Sequence, residues 1–109
     1  MTDKTVTEYS AILTTAPNSE QAKRIIDTLL NAKFAACIQT IPIDSHYVWE
    51  GEVCNDKEIL LVIKTTNALF NEVEQAICAQ HEYDIPQIVQ LPITEGFNPY
   101  LNWISQVTR

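Results

Sequence analysis

Basic residues are scarce in this sequence. It has seven Lys and Arg against fourteen Asp and Glu, which gives a formal net charge of −7 at pH 7. Such a field repels phosphate backbones and anionic lipids, so we expect neither a nucleic-acid nor a membrane partner. Long apolar runs are lacking too: none reaches membrane-spanning length, and residues 1–9 are polar, without the apolar core of a signal peptide. The sequence therefore predicts a cytoplasmic protein.

Cysteine and glycine are also rare, which excludes several kinds of site. The three cysteines (Cys37, Cys54 and Cys78) are odd in number and far apart, so they form no disulfide framework and fit free thiols in a reducing compartment. No CxxC pair, HxxxH pair, glycine-rich phosphate loop or GxSxG motif occurs. The Asp-Ser-His run at 44–46 is no catalytic triad, because consecutive residues of a strand point to opposite faces. We expect no enzyme.

Apolar periodicity and turn signals are present, and they predict the order β-α-β-β-α-β followed by a short terminal helix. The predicted strands cover residues 9–15, 35–49, 53–66 and 85–93. The solid apolar run at 59–63 is typical of a central strand with both faces covered. This order suits the ferredoxin-like split βαβ arrangement of the α+β class, with one antiparallel sheet, helices on one face and the other face bare. With 109 residues, we expect a single domain at 1–109.

The predicted helices have recognisable starts. Asn18 can cap the first, with Gln21 at a capping-box position, and Asn67 can cap the second, which should end near His81. Asn98-Pro99 starts the last helix, since proline at the first helical position has no amide to lose. Its inward face is predicted to carry Tyr100, Trp103, Ile104 and Val107.

The central hairpin is too long for a compact domain. A strand over 35–49 would span roughly 50 Å at about 3.3 Å per residue, whereas a 100-residue domain has a radius of gyration of about 13 Å. The hairpin must project or bend, and Pro42 is a place for a break. Tyr47, Val48 and Trp49 near its tip would be buried against a neighbouring subunit or by a second sheet on the bare face; alternatively, Trp49 covers its own sheet. We favour an oligomer.

Four residues are candidate metal ligands: His81, Asp84, His46 and Cys37. His81, near Glu82 and Asp84, offers the imidazole and carboxylate donors that suit zinc, copper or nickel, and His46 shares a strand face with Asp44. Cys37 would be a soft ligand for copper. Each has a structural alternative. His81 would be a histidine at a helix end, Asp44 and His46 a solvated surface pair, and Cys37 a small buried core residue. Lys64, at the end of an apolar strand, would bind an anion or reach solvent.

Several segments resemble one family, the divalent-cation tolerance protein CutA. The resemblance runs from Ile12 to Ile104 and rests on KFAACIQTIP, SHYVWEGEV, ILLVIKTT, HEYDIPQIVQLPI and NPYLNWI. The positions that match the family pattern are Cys37, Pro42, Ser45, Tyr47, Trp49, Gly51, Lys64, Thr65, His81, Tyr83, Pro86, Pro92 and Tyr100. The chain departs from that pattern at Ile43, His46, Glu82 and Gln87, and the carboxylate missing at Gln87 weakens a metal site near the second helix.

The resemblance implies a ferredoxin-like subunit in a tight homotrimer, similar in build to PII signalling proteins. It links the chain to tolerance of copper and other divalent metals, and implies copper binding, with no cofactor required. Its residues at the subunit interface or cleft would be Tyr47, Trp49, Lys64, Tyr83 and Tyr100. The alternative is a PII-like adaptor that binds a small anion or a partner protein between subunits.

Overall fold

The computed structural model describes residues 8–109, and it has the predicted order of elements. The elements are β1 (Tyr9–Ala16), α1 (Ser19–Asn31), β2 (Cys37–Trp49), β3 (Glu52–Thr66), a 3-10 turn (Asn67–Leu69), α2 (Phe70–Gln80), β4 (Ile88–Pro92) and α3 (Asn98–Val107). The four strands form one sheet in the order β2-β3-β1-β4, with every neighbouring pair antiparallel. The prediction of a ferredoxin-like α+β sheet is confirmed. The prediction about the polar start of the chain falls largely on residues 1–7, outside the described residues.

The sheet has an inner face that packs on α1 and α2, and an outer face turned the other way. Residues directly opposite on neighbouring strands share a face, so the pairing of Ile12 with Ile63 marks the inner face. Both are fully buried, in a core shared with α1 and α2. The row that crosses the outer face contains Cys37, Lys64, Ala11 and Leu91.

A buried glutamine joins α1 to the end of α2. The Asn18 side chain caps α1 as predicted, accepting from the Gln21 amide at 2.9 Å. The Gln21 side chain makes no capping box, because it points into the core, where it is fully buried. It donates to the Gln80 carbonyl and accepts from the Glu82 amide, both at 2.9 Å. These bonds fix where the segment after α2 leaves the helix.

The hairpin projects without a break. β2 continues through Pro42, which stays in register opposite Ile59, so the predicted break there is wrong. β2 is an edge strand, where a missing amide donor is tolerated. Glu50 and Gly51 form the two-residue turn with φ of 51° and 79°, the positive values that a type I′ hairpin requires. The molecule is 49 Å long as a result.

Three helix and strand predictions need correction. β3 runs to Thr66, so Asn67 opens a 3-10 turn and caps no helix; α2 starts at Phe70. β4 covers only Ile88–Pro92, the stretch that pairs with β1. Of the predicted inward face of α3, only Ile104 is buried, because α3 lies on the outer face, where no second layer formed by residues 8–109 covers it. No helix within residues 8–109 is long and apolar enough to cross a membrane.

Candidate functional site

A cleft of about 610 Å³ opens at the hairpin end of the outer face. β1 contributes Thr15 and β3 contributes Glu58 to its lining. The remaining lining residues are Ser45, His46, Tyr47 and Trp49 of β2 and residues 83–87 of the segment between α2 and β4. That segment can form a wall because His81 and Gln21 hold its start against the domain. We call this space the cleft.

Two tyrosine hydroxyls in the cleft are bonded to carboxylates. Tyr83 donates to Glu58 Oε2 at 2.9 Å, and Tyr47 donates to the carboxylate of Asp56. Burial, followed by the bond to Glu58, raises the pKa of Tyr83 above its ordinary value. The bond to Asp56, the largest cause, raises the pKa of Tyr47 to about 12. Both shifts favour the protonated phenol, which can donate to its carboxylate partner.

His81 holds the segment behind the cleft. Its Nε2 lies 2.6 Å from the Thr15 carbonyl oxygen, and the Tyr83 amide donates to its Nδ1 at 3.1 Å. A carbonyl only accepts and an amide only donates, so these partners assign the neutral Nε2–H tautomer. The ring also contacts the Tyr83 ring, with centroids 4.7 Å apart. Metal ligation by His81 stays a prediction, and it would require one of these bonds to break.

The other predicted metal ligands lie in two places. His46 and Asp84 both line the cleft, whereas Cys37 lies at the far end of β2, half-buried on the outer face opposite Lys64. Cys37 is therefore not part of the core between sheet and helices. Asp44 pairs with Lys57 at 3.2 Å. Within residues 8–109, no three His, Cys, Asp or Glu side chains converge as a metal site.

The predicted interface residues divide in the same way. Tyr47, Trp49 and Tyr83 line the cleft, and Lys64 and Tyr100 lie near the other end of the sheet. The Lys64 ammonium is 5.7 Å from the centre of the Tyr100 ring and donates to Gln39 at 3.2 Å. The residue is half-buried, and binding of an anion by Lys64 stays a prediction.

Between these two ends, the outer face is apolar, and no described element covers it. Ile41 is 49% exposed, Val89 42% and Leu91 47%. Of the three described helices, α3 packs on this face, at its Lys64 end. A sheet that leaves such side chains in water presents a surface for association.

Sequence reasoning did not single out Glu58, Asp56 or Thr15. The turn at 50–51 fixes the register of the hairpin, and that register places Asp56 opposite Ser45, diagonal to Tyr47. A hairpin argument from that turn would therefore have found Asp56. Nothing local indicates that Tyr83 reaches Glu58, 25 residues away in the chain.

Known proteins resemble this chain closely. A structure of the periplasmic divalent cation tolerance protein CutA from Archaeoglobus fulgidus matches with a TM-score of 0.89 at 37% identity, over 91% of this chain and 97% of that one. Protein CutA, chloroplastic, of Arabidopsis thaliana is 41% identical over 99 residues, which are 90% of this chain and 54% of that protein. The divalent-cation tolerance protein CutA of Thermus thermophilus is 41% identical over 98 residues, 89% and 95% of the two chains. The chain thus spans about half of the plant relative.

The names of these relatives overturn the predicted cytoplasmic location. One is named chloroplastic and another periplasmic, which points away from a plain cytoplasmic location. The prediction failed because a polar surface and free thiols are compatible with more than one compartment.

The family comparison covers the cleft and the whole sheet. The family model described as CutA1 divalent ion tolerance protein matches residues 10–107. Its description refers to tolerance of ions and specifies no reaction. The match includes every strand pair, the hairpin and α3 within its bounds. This chain belongs to the CutA1 divalent ion tolerance family.

Proposed function

We propose that this chain is a single domain that acts as a homotrimer in divalent metal tolerance, taking up copper or a related cation without catalysing a reaction. The observation that carries the assembly is the uncovered outer face, with Ile41, Val89 and Leu91 each more than 40% exposed. Burying this face against other copies removes apolar surface from water, and the projecting hairpin gives it reach. The number three comes from the family resemblance.

Metal uptake is supported by charge and by the position of one thiol. The net charge of −7 attracts cations. Cys37 lies on the outer face, so its sulfur would belong to the interface between copies, and thiolate is the ligand type that selects copper. His46 and Asp84 are the accessible donors of the cleft, while His81 is engaged in two internal hydrogen bonds. We propose Cys37 as the first ligand to test.

The experiment measures assembly and copper uptake on the same samples. Light scattering is expected to give about three times the 12.4 kDa chain mass. A permanent interface buries a large area, so the three copies should stay associated during the measurement. Copper(I) affinity is measured by competition with a chromophoric chelator. Cys37→Ser should weaken uptake with the trimer intact, whereas Cys78→Ser, at an exposed thiol of α2, should leave it unchanged. A folded monomer, or equal copper affinity in both variants, contradicts the proposal.

The alternative, an adaptor that binds a small anion, has less support from the residues of the cleft. Among the described residues, no lysine or arginine lines the cleft. Lys64 lies elsewhere and already contacts Gln39 and Tyr100. The chemistry of the cleft therefore favours a cation.

A further inference from the structure

The cleft contains a largely buried carboxylate, one oxygen of which is accessible from the cleft. Glu58 is 9% exposed, so it is nine-tenths buried. Its Oε2 accepts from the Tyr83 hydroxyl at 2.9 Å, and no group within residues 8–109 donates to its Oε1. A buried carboxylate needs compensating donors or an opposite charge. An oxygen beside an open cleft can receive these from a ligand.

Aromatic side chains surround this carboxylate. Tyr47, Trp49 and Tyr83 line the cleft and are 40%, 50% and 37% exposed. Aromatic faces attract organic cations through the ring quadrupole, and the attraction strengthens where water is excluded. A small inorganic ion gains little from such walls, since it needs several converging oxygen, nitrogen or sulfur ligands.

The charges around the cleft point to the same class of ligand. Asp84 adds a second carboxylate to the lining, and within residues 8–109 no lysine or arginine belongs to that lining. The nearby Lys57 pairs with Asp44, and Arg24 lies 3.6 Å from Glu82. Hydroxyls bonded to carboxylates at Tyr47 and Tyr83 are consistent with a negative potential.

We propose that the cleft binds a small organic cation, with an alkylammonium or guanidinium group donating to Glu58 and lying between the rings of Tyr47, Trp49 and Tyr83. One chain supplies every one of these groups. The inference therefore goes beyond copper uptake and does not depend on it.

Matched probes test the charge and the shape separately. Butylguanidinium and butylammonium are titrated into the intact protein, with butyrate as the anion of similar size. Trp103→Phe serves as the background, so that fluorescence reports Trp49 alone of the two tryptophans. We expect both cations, and not butyrate, to change the signal with saturation. The proposal is overturned if the cations give no saturable response, which is also the result expected if a neighbouring subunit fills the cleft. Equal binding of butyrate overturns it too.

Variants then locate the site. Glu58→Gln keeps the shape and removes the charge, and should weaken the cations about tenfold or more, as loss of a charge-assisted bond does. Glu74→Gln, exposed on α2, makes the same change outside the cleft and should have no effect. Unchanged affinity in Glu58→Gln overturns the proposal. If circular dichroism shows that variant unfolded, Asp84→Asn decides: a loss of about twofold supports the site, and an unchanged affinity rejects it.

Discussion

The two faces of the sheet carry similar side chains in different surroundings. On β3, Leu61 and Ile63 are fully buried under α1 and α2, whereas Leu60 and Val62, one position away, are half-buried on the outer face. The solid apolar run predicted cover on both faces, and the described chain supplies full cover on one. The apolar pattern of β3 therefore predicts more cover on the outer face than the described residues supply.

The largest effect should come from the inner face. Ile63→Ala removes a fully buried side chain and leaves a cavity, so the free energy of unfolding should fall by about 2–5 kcal/mol. Leu91→Ala is the matched change on the outer face, where the side chain is 47% exposed in the single chain. Urea denaturation at one fixed protein concentration measures both. If the protein is a monomer, an equal loss of unfolding free energy in the two variants would contradict the difference between the two faces. If it is a trimer, an equal loss would mean that a neighbouring subunit buries Leu91 fully.

A charge on the outer face tests the partner directly. Leu91→Lys places an ammonium among apolar side chains, so we expect the assembly to dissociate to the 12.4 kDa chain in light scattering. Leu30→Lys, on α1 at the opposite side of the sheet, where the side chain is 39% exposed, is the control and should keep the assembly. An intact trimer in Leu91→Lys would place the interface elsewhere.

The link between α1 and α2 should have a smaller effect. Gln21→Ala leaves the Gln80 carbonyl and the Glu82 amide without their partner, at a cost of roughly 1–3 kcal/mol. Gln75→Ala on the exposed side of α2 should change stability little. Thermal unfolding compares the two variants. A neutral result at Gln21 would mean that water replaces both bonds.

The smallest effect is a shift in the titration of Tyr47. With its pKa raised to about 12 by the bond to Asp56, its contribution to stability is complete below the ordinary value and is lost as pH rises through the folded pKa. Asp56→Asn should bring the titration back towards pH 10, the ordinary tyrosine value. The difference spectrum against Tyr47→Phe isolates this residue from the other three tyrosines. An unchanged titration in Asp56→Asn would show that burial, rather than the carboxylate, sets the pKa.

Much of the fold could be predicted because its signals are local. The cap at Asn18, the end of α2 at His81 and the start of α3 at 98–99 follow from single side chains and backbone preferences. The misses at Asn67 and Pro42 are of another kind. At Pro42, pairing with β3 overrode the local break signal, since a strand gains ladder hydrogen bonds as long as its partner continues. At Asn67, where β3 ends as predicted, the chain makes a 3-10 turn before α2 begins.

The sequence by itself determined the strand and helix order and the acidic charge, because these depend on composition and near neighbours. Only the tertiary structure decided that Tyr83 meets Glu58, that both nitrogens of His81 are occupied, and that Cys37 lies on the outer face. The contacts of Tyr83 and His81 join groups 25 and 66 residues apart. The physical reason is that such distances are set by sheet register and by how the 81–87 segment folds back, and neither leaves a pattern in the local sequence.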